Sequence, residues 1–272
     1  MSARIIANKV IIVTGASSGI GRAVALALAR ERARLVLVAR RQPLLESLAD
    51  EVRKEGGTVL VLALDLRDRG QVEKMIATTR EQFERIDVLI NNAGFGYLGT
   101  VEETPAAVVR EIFDLNFEAP LLASQLAIPI MKAHGGGHII NVSSVVGRRG
   151  LPLNGIYCAT KFALQGISES LRLEVKDAGI DVSIVNPAAT ESEFGDHVRR
   201  GGVKAKFKPT GHVQSAEEVA RSIVECIRRP KLEVYPNSRS RLLTWASALS
   251  PALVDRIIAN YYKDRFRVVR GE

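Results

Sequence analysis

The chain has 272 residues, 46% hydrophobic and 25% charged, a balance that suits one large α/β domain and excludes a disordered or fibrous protein. No apolar run reaches the ~18 to 20 residues a membrane span needs, and MSARIIANKV leads straight into a strand, leaving no room for a signal peptide. Cys158 and Cys226 provide neither metal spacing nor a disulfide framework, so the expectation is a cytoplasmic protein without a bound metal. The net charge of +8 is concentrated at the end: residues 199–272 hold 16 Lys/Arg against 7 Asp/Glu. Such a patch suits phosphate-bearing ligands, an anionic membrane surface or solubility alone, and no nucleic-acid partner is expected.

KVIIVT, residues 9–14, is a β-branched apolar run that reads as a buried parallel strand. The loop TGASSGIG follows, and from Ile20 the chain takes the Ala/Leu-rich period of a helix. Strand, glycine loop and helix N-terminus make an anion site, because free N–H groups and the positive end of the dipole face a phosphate that glycine allows close. Gly15, Ser17, Ser18, Gly19, Ile20 and Gly21 are therefore candidate cofactor-binding residues; a tight βα turn is the alternative. RLVLVA, residues 34–39, is the second strand. A dinucleotide fold places an acid at its end, roughly 20 residues after the glycines, to hold the ribose 2′-hydroxyl. Arg40 and Arg41 stand there instead, and guanidinium groups pair with a 2′-phosphate. NADP(H) is favoured over NAD(H), with a solvated turn as the alternative.

A helix over 43–55 leads to TVLVLAL, residues 58–64, which ends at Asp65 and Leu66 beside the expected adenine position. A helix over 71–83 and the strand IDVLI, 86–90, precede Asn91, Asn92, Ala93 and Gly94, residues suited to close backbone approach to a cofactor or to an ordinary turn. Residues 103–132 read as helical with a kink or interruption at Pro120 or Pro129, and Asn116 within them needs partners for its amide. The fifth strand, 138–142, ends in Ser143 and Ser144. Tyr157 opens the next helix with Lys161 one turn further on, where an ammonium lowers the phenol from its usual ~10; a half-buried tyrosine and a solvated lysine are the alternative. With strands over 180–186 and 231–235, the pattern predicts a doubly wound parallel sheet of about seven strands, Rossmann-type, helices on both faces, in a single domain. Its ligand crevice lies at the carboxyl ends of the strands.

Together these motifs resemble the short-chain dehydrogenase/reductase family over roughly residues 9–194. TGASSGIG at 14–21 fits its TGxxxGxG loop, NNAG at 91–94 its central-strand motif, and Asn116, Ser144, Tyr157 and Lys161 its Asn-Ser-Tyr-Lys tetrad. Ser144 is chosen over Ser143 because it lies 13 residues before the tyrosine. The resemblance implies an NADP(H)-dependent oxidoreductase moving a hydride between nicotinamide and the carbonyl or alcohol carbon of a fairly apolar ketone, aldehyde or secondary alcohol. Tyr157 is then the general acid/base and Ser144 a donor to the substrate oxygen. Lys161 lowers the tyrosine pKa and holds the nicotinamide ribose, and Asn116 keeps a water in a proton relay. Pro187 and Ser192 are implied at the cofactor's other end, although Ala188 replaces the family's glycine and Ser192 its threonine. A homodimer or homotetramer is implied as well. A catalytically silent NADP(H)-binding regulator or scaffold is the rival, since one fold serves both.

Residues 1–236 are read as the catalytic domain, with a mobile substrate loop near 193–210 and Leu151 and Leu153 on a pocket wall. Residues 237–272 are read as a basic amphipathic helical extension of the same domain, divided by Pro251. In it Trp245, Leu249, Leu253, Ile257 and Tyr261 are surrounded by Arg239, Arg241, Arg256, Lys263, Arg265 and Arg267. A pocket lid, a subunit contact and a lipid-facing surface are all compatible with that pattern.

Overall fold

The computed structural model describes residues 3–191, 193–195, 198–202 and 213–270. The strands β1 (Val10–Thr14), β2 (Arg34–Ala39), β3 (Thr58–Ala63), β4 (Val88–Asn91), β5 (Gly137–Val142), β6 (Ile180–Val185) and β7 (Glu233–Val234) form one sheet. Its order is β7-β6-β5-β4-β1-β2-β3 and every pairing is parallel. Between the strands run α1 (Gly19–Arg30), α2 (Gln42–Lys54), α3 (Arg69–Phe83), α4 (Ala106–Phe113), α5 (Ala119–Ala133), α6 (Gly155–Glu174) and α7 (Ala216–Arg228); α8 (Ser238–Leu249) and α9 (Pro251–Arg270) follow.

Successive strand side chains point to opposite faces, and here both faces are covered. Ile11 and Val13 of β1 and Leu35 and Leu37 of β2 pack with α1, α2 and α7, while Ile12, Val36 and Val38 pack with α3 and α5. The strands are therefore apolar throughout rather than alternating. Each such side chain withdrawn from water contributes about 1.5–3 kcal/mol. Ser215 starts α7 in a capping box with Glu218, satisfying two N-terminal donors reciprocally.

The strand order reverses between β1 and β4, so the loops after these two strands diverge and open a crevice. The fourth strand begins at Val88, later than the sequence pattern suggests. Asp87 is buried at its foot and accepts from the Val10 N–H at 2.9 Å and Lys9 Nζ at 3.1 Å. The helical tract over 103–132 divides into α4, a π-turn over Asp114–Glu118, and α5. Pro120 has no N–H to offer the Asn116 carbonyl four residues back, so the regular ladder is interrupted there and α5 restarts with the proline in its first turn, whereas Pro129 lies inside α5 without ending it.

Candidate active site

The glycine loop is tied to the end of β4 through one threonine. Thr14 Oγ1 donates to the Ile90 carbonyl at 3.2 Å and accepts from the N–H groups of Asn92 and Ala93 at 2.9 and 3.0 Å. Asn92 returns its side-chain Nδ2 to the Thr14 carbonyl at 2.9 Å. The knot brings the two loops so close that only glycine fits: a Cβ on Gly15, which has φ +66°, would lie 2.9 Å from Ala93 Cα, and one on Gly21 would lie 2.7 Å from Asn92 Nδ2 and 2.2 Å from the Gly15 carbonyl oxygen. At the head of α1, Ser18 makes no side-chain cap, leaving the first N–H groups directed at the crevice. A dinucleotide phosphate fits this cradle.

Arg41 reaches over the same loop. Its guanidinium donates to Ser18 Oγ at 2.8 Å and to Ser17 Oγ at 3.2 Å, and pairs with Glu193 at 2.9 Å. Arg40 beside it is exposed. Asp65, at the end of β3, accepts from the Arg67 backbone N–H at 3.1 Å and from Arg67 Nε at 3.0 Å. The Arg67 hydrogen bond holds that carboxyl below its ordinary range. Arg67 also pairs with Glu111, which Arg199 grips from the other side. Leu66 is buried and lines a small cavity with Thr14, Asn91 and Ala93, which leaves its backbone rather than its side chain to face a cofactor.

Asn116, Ser144, Tyr157 and Lys161 come from the π-turn, the end of β5 and the first turns of α6. Tyr157 is part-buried, and Ser144 stands near enough to its hydroxyl to oppose the effect of burial on it. Ser144 Oγ also donates to the Pro187 carbonyl at 3.4 Å. Lys161 is 5% exposed, and its Nζ donates to the Val142 carbonyl at 2.9 Å. That ammonium lies 5.8 Å from the Tyr157 ring centroid. The expected lowering of the phenol does not occur in the chain by itself. Burial, reinforced by Cys158, pushes the Tyr157 hydroxyl up against the opposing effect of Ser144, and burial brings Lys161 down to about 8. Both groups are biased toward their neutral forms.

Asn116 is fully buried and its amide is occupied. Oδ1 accepts from the Phe95 N–H at 3.1 Å, and Nδ2 donates to the Phe95 carbonyl at 3.0 Å and to Thr160 Oγ1 at 3.2 Å. A Cβ on Gly94 would lie 3.0 Å from Asn116 Oδ1 and 3.8 Å from Lys161 Nζ, so the NNAG turn sits between these two side chains. Ala188 has no left-handed backbone; alanine imposes no strain there, and its N–H donates to Gln214 Oε1 at 3.0 Å. Ser192 lies outside the described residues.

Of the substrate loop expected at 193–210, Glu193–Gly195 form a turn that sets Phe194 against Tyr157, ring centroids 5.8 Å apart. Arg199–Arg200 pair with Tyr97–Leu98, and the Arg199 guanidinium covers the Phe95 ring at 5.0 Å. Residues 196–197 and 203–210 lie outside the described ones. Leu153 is 5% exposed and held at φ +64°, its carbonyl accepting from the Gly99 N–H at 2.8 Å. A left-handed leucine costs about 1–2 kcal/mol, a local strain that the surrounding packing holds in place. Thr14, Thr160 and Ser168 were not among the residues the sequence singled out, nor was the buried chain from Asn91 through Asn141 that Ser168 completes. Asn91 Nδ2 donates to Asn141 Oδ1 and Asn141 Nδ2 to Ser168 Oγ, both at 2.8 Å, fixing α6 to the central strands.

Comparison with known proteins places this geometry among relatives. A family model described as short chain dehydrogenase matches residues 9–201. Ketoacyl reductase HetN of Nostoc is 31% identical over 256 residues, spanning 92% of this chain and 88% of that protein. Glycine betaine reductase ATRR of Emericella nidulans is 36% identical over 228 residues, 83% of this chain but 18% of its own length, so the match covers a small part of that protein. A short-chain dehydrogenase/reductase from Burkholderia phymatum in complex with NAD superimposes with a TM-score of 0.83 at 26% identity, over 92% of this chain and 96% of that one. A short-chain dehydrogenase from Sphingobium yanoikuyae in complex with NADPH does so at 0.78 and 30% identity, over 91% and 96%.

Proposed function

The chain belongs to the short-chain dehydrogenase/reductase family, and from that premise we infer that it is an NADP(H)-dependent carbonyl reductase or alcohol dehydrogenase for a fairly apolar ketone, aldehyde or secondary alcohol. The observation that carries this reading is the Ser144–Tyr157 hydroxyl pair at the carboxyl edge of the sheet, with buried Lys161 one turn behind. The dinucleotide supplies the hydride when bound. Gly15, Gly19, Gly21 and the head of α1 cradle its diphosphate, and Arg41, with Ser17 and Ser18, takes the 2′-phosphate.

A phenol keeps its proton at neutral pH and burial pushes the Tyr157 hydroxyl further up, which suits a general acid that protonates an oxygen gaining negative charge. Ser144 aims a second donor at that oxygen. Lys161 holds the nicotinamide ribose. Pro120 deprives the Asn116 carbonyl of its helical N–H, so that carbonyl, rather than the occupied amide, keeps the relay water. Leu151, Leu153 and Phe194 give the crevice its apolar wall. Residues 1–236 form the catalytic body and 237–272 its extension. Two unpaired cysteines, Cys158 and Cys226, fit a cytoplasmic address. Phe162 and Leu173, exposed on α6, suit the contact of a homodimer or homotetramer.

A panel of ketosteroids, long-chain ketones, aldehydes and quinones, followed by consumption of NADPH and of NADH, tests the reading. The expected result is turnover with NADPH at least about tenfold above NADH, the value of one charge-assisted contact. Tight NADPH binding with no turnover across the panel would instead support the silent binding protein.

A further inference from the structure

Helix α8 packs with its polar residues inward. Thr244 and Ser247 are 9% and 7% exposed, whereas Leu242, Trp245 and Leu249 are 64%, 55% and 86% exposed. Thr244 satisfies its hydroxyl by donating to the Arg241 carbonyl at 2.8 Å, but the buried Ser247 hydroxyl has no partner among the described residues. A surface helix facing water packs the other way round. Helix α9 continues the pattern: Val254 and Tyr262 are buried, while Leu253, Ile257 and Tyr261 form an exposed stripe.

Charge follows the same geometry. At the turn of an α-helix, Arg239 and Arg241 lie on the two shoulders of the Leu242–Trp245–Leu249 stripe. Arg256 and Lys263 lie along the margin of the Leu253–Ile257–Tyr261 stripe that faces away from the buried residues. The Arg241 guanidinium covers the Trp245 ring at 4.8 Å, and Asp255 is drawn aside into an ion pair with Arg149. Two apolar stripes edged by cations therefore flank the elbow at Ser250, where the helices are bent by 120°.

We propose that α8 and α9 lie in the surface of an anionic phospholipid bilayer, with Leu242, Trp245, Leu249, Leu253 and Ile257 in the acyl boundary and the arginines among the lipid phosphates. Among the described residues no single helix is long and apolar enough to cross a membrane, whereas an apolar face with basic shoulders and interfacial aromatics is the form of a helix lying in the interface. A second copy of the chain is a poorer occupant. A twofold contact repeats one patch on both sides and sets like charges against each other, while lipid phosphates neutralise them. The covered face of α8 packs on the Val145–Gly147 turn that follows Ser144, so the docked face is the outer side of a helix that borders the site.

Co-sedimentation of the full chain with vesicles of phosphatidylcholine alone, and of equimolar phosphatidylcholine and phosphatidylserine, tests this. Binding is expected on the mixed vesicles and should fall as salt is raised. Arg239→Gln and Arg241→Gln should each weaken it by about fivefold, and the double variant Leu249→Ser/Leu253→Ser by about tenfold or more. NADPH affinity and thermal midpoint should be unchanged in that double variant, since both leucines are exposed. Failure of the native chain to bind anionic vesicles at low salt would overturn the proposal, as would undiminished binding of the double variant. A native dimer that the double variant breaks in light scattering, with no vesicle binding by either, would assign the face to a second copy instead.

Discussion

In the role proposed for it, Tyr157 would give up a proton in one direction of the reaction and accept one in the other, and its surroundings favour the first. The phenol is protonated at neutral pH even at its ordinary value, and burial pushes it further up, so carbonyl reduction would find its acid already loaded. Alcohol oxidation needs the phenolate, whose population grows as pH approaches the raised pKa. The kcat/KM for reduction is therefore expected to be flat through neutral pH while that for oxidation climbs into the alkaline range. An oxidation rate already at its plateau at neutrality would contradict this ordering. Arg41 is the other residue whose surroundings decide a property. It contacts Ser17 and Ser18 and is paired with Glu193, whereas Arg40 is exposed. Arg41→Ala should raise the Kd of NADPH by about 10- to 100-fold and leave that of NADH nearly unchanged, measured by titration calorimetry. Both arginines were visible in the sequence; their unequal positions were not, because a β-strand end fixes the chain but not which of two neighbouring side chains folds back over the loop.

At the scale of elements, the glycine loop and the end of β4 act as one unit joined by Thr14 and Asn92. Gly21→Ala would drive a Cβ to 2.2 Å from the Gly15 carbonyl and 2.7 Å from Asn92 Nδ2. It should cost about 1–3 kcal/mol in urea melts and lower NADPH affinity by at least about tenfold, because the cradle and the knot move together. Full NADPH affinity in that variant would show that the loop does not bind phosphate. The strands and helices were legible because an interior strand is continuously apolar and a helix shows its 3.6 period. The π-turn at Asp114–Glu118 was legible only as an interruption. Pro120 signals that the regular ladder is interrupted, but not that the chain widens to bury Asn116 against Phe95. The Asn91–Asn141–Ser168 chain was hidden for another reason: its residues are 50 and 27 apart in sequence, and their pairing follows from the sheet register.

Across the whole molecule, stability at low pH depends on a residue remote from the crevice. His138 is buried in β5, its Nε2 shares a hydrogen bond of 2.8 Å with Ser183 Oγ of β6, and burial brings its pKa down to about 4. An unfolded histidine takes its proton near 6.5, so between these values the unfolded chain binds the proton and the folded one does not. Its contribution is complete above about 6.5 and is lost as pH falls toward 4. The native chain should lose about 2 kcal/mol more than His138→Gln between pH 7 and pH 4.5 in urea unfolding; parallel losses would contradict the assignment. The doubly wound sheet was the most legible feature because it is written in every strand, whereas the arrangement of α8 and α9 depends on which side of each helix the body covers. For α8 that side is set by packing on the Val145–Gly147 turn, far away in sequence.

Everything proposed for the crevice turns on Tyr157 as the proton donor of hydride transfer. That role is tested most directly by Tyr157→Phe in a single-turnover measurement of NADPH oxidation with the best carbonyl of the panel. Hydride transfer should become undetectable while NADPH affinity stays within about twofold of the native value, since the lost hydroxyl would act on the substrate oxygen. Single-turnover reduction at an undiminished rate in that variant would contradict that role.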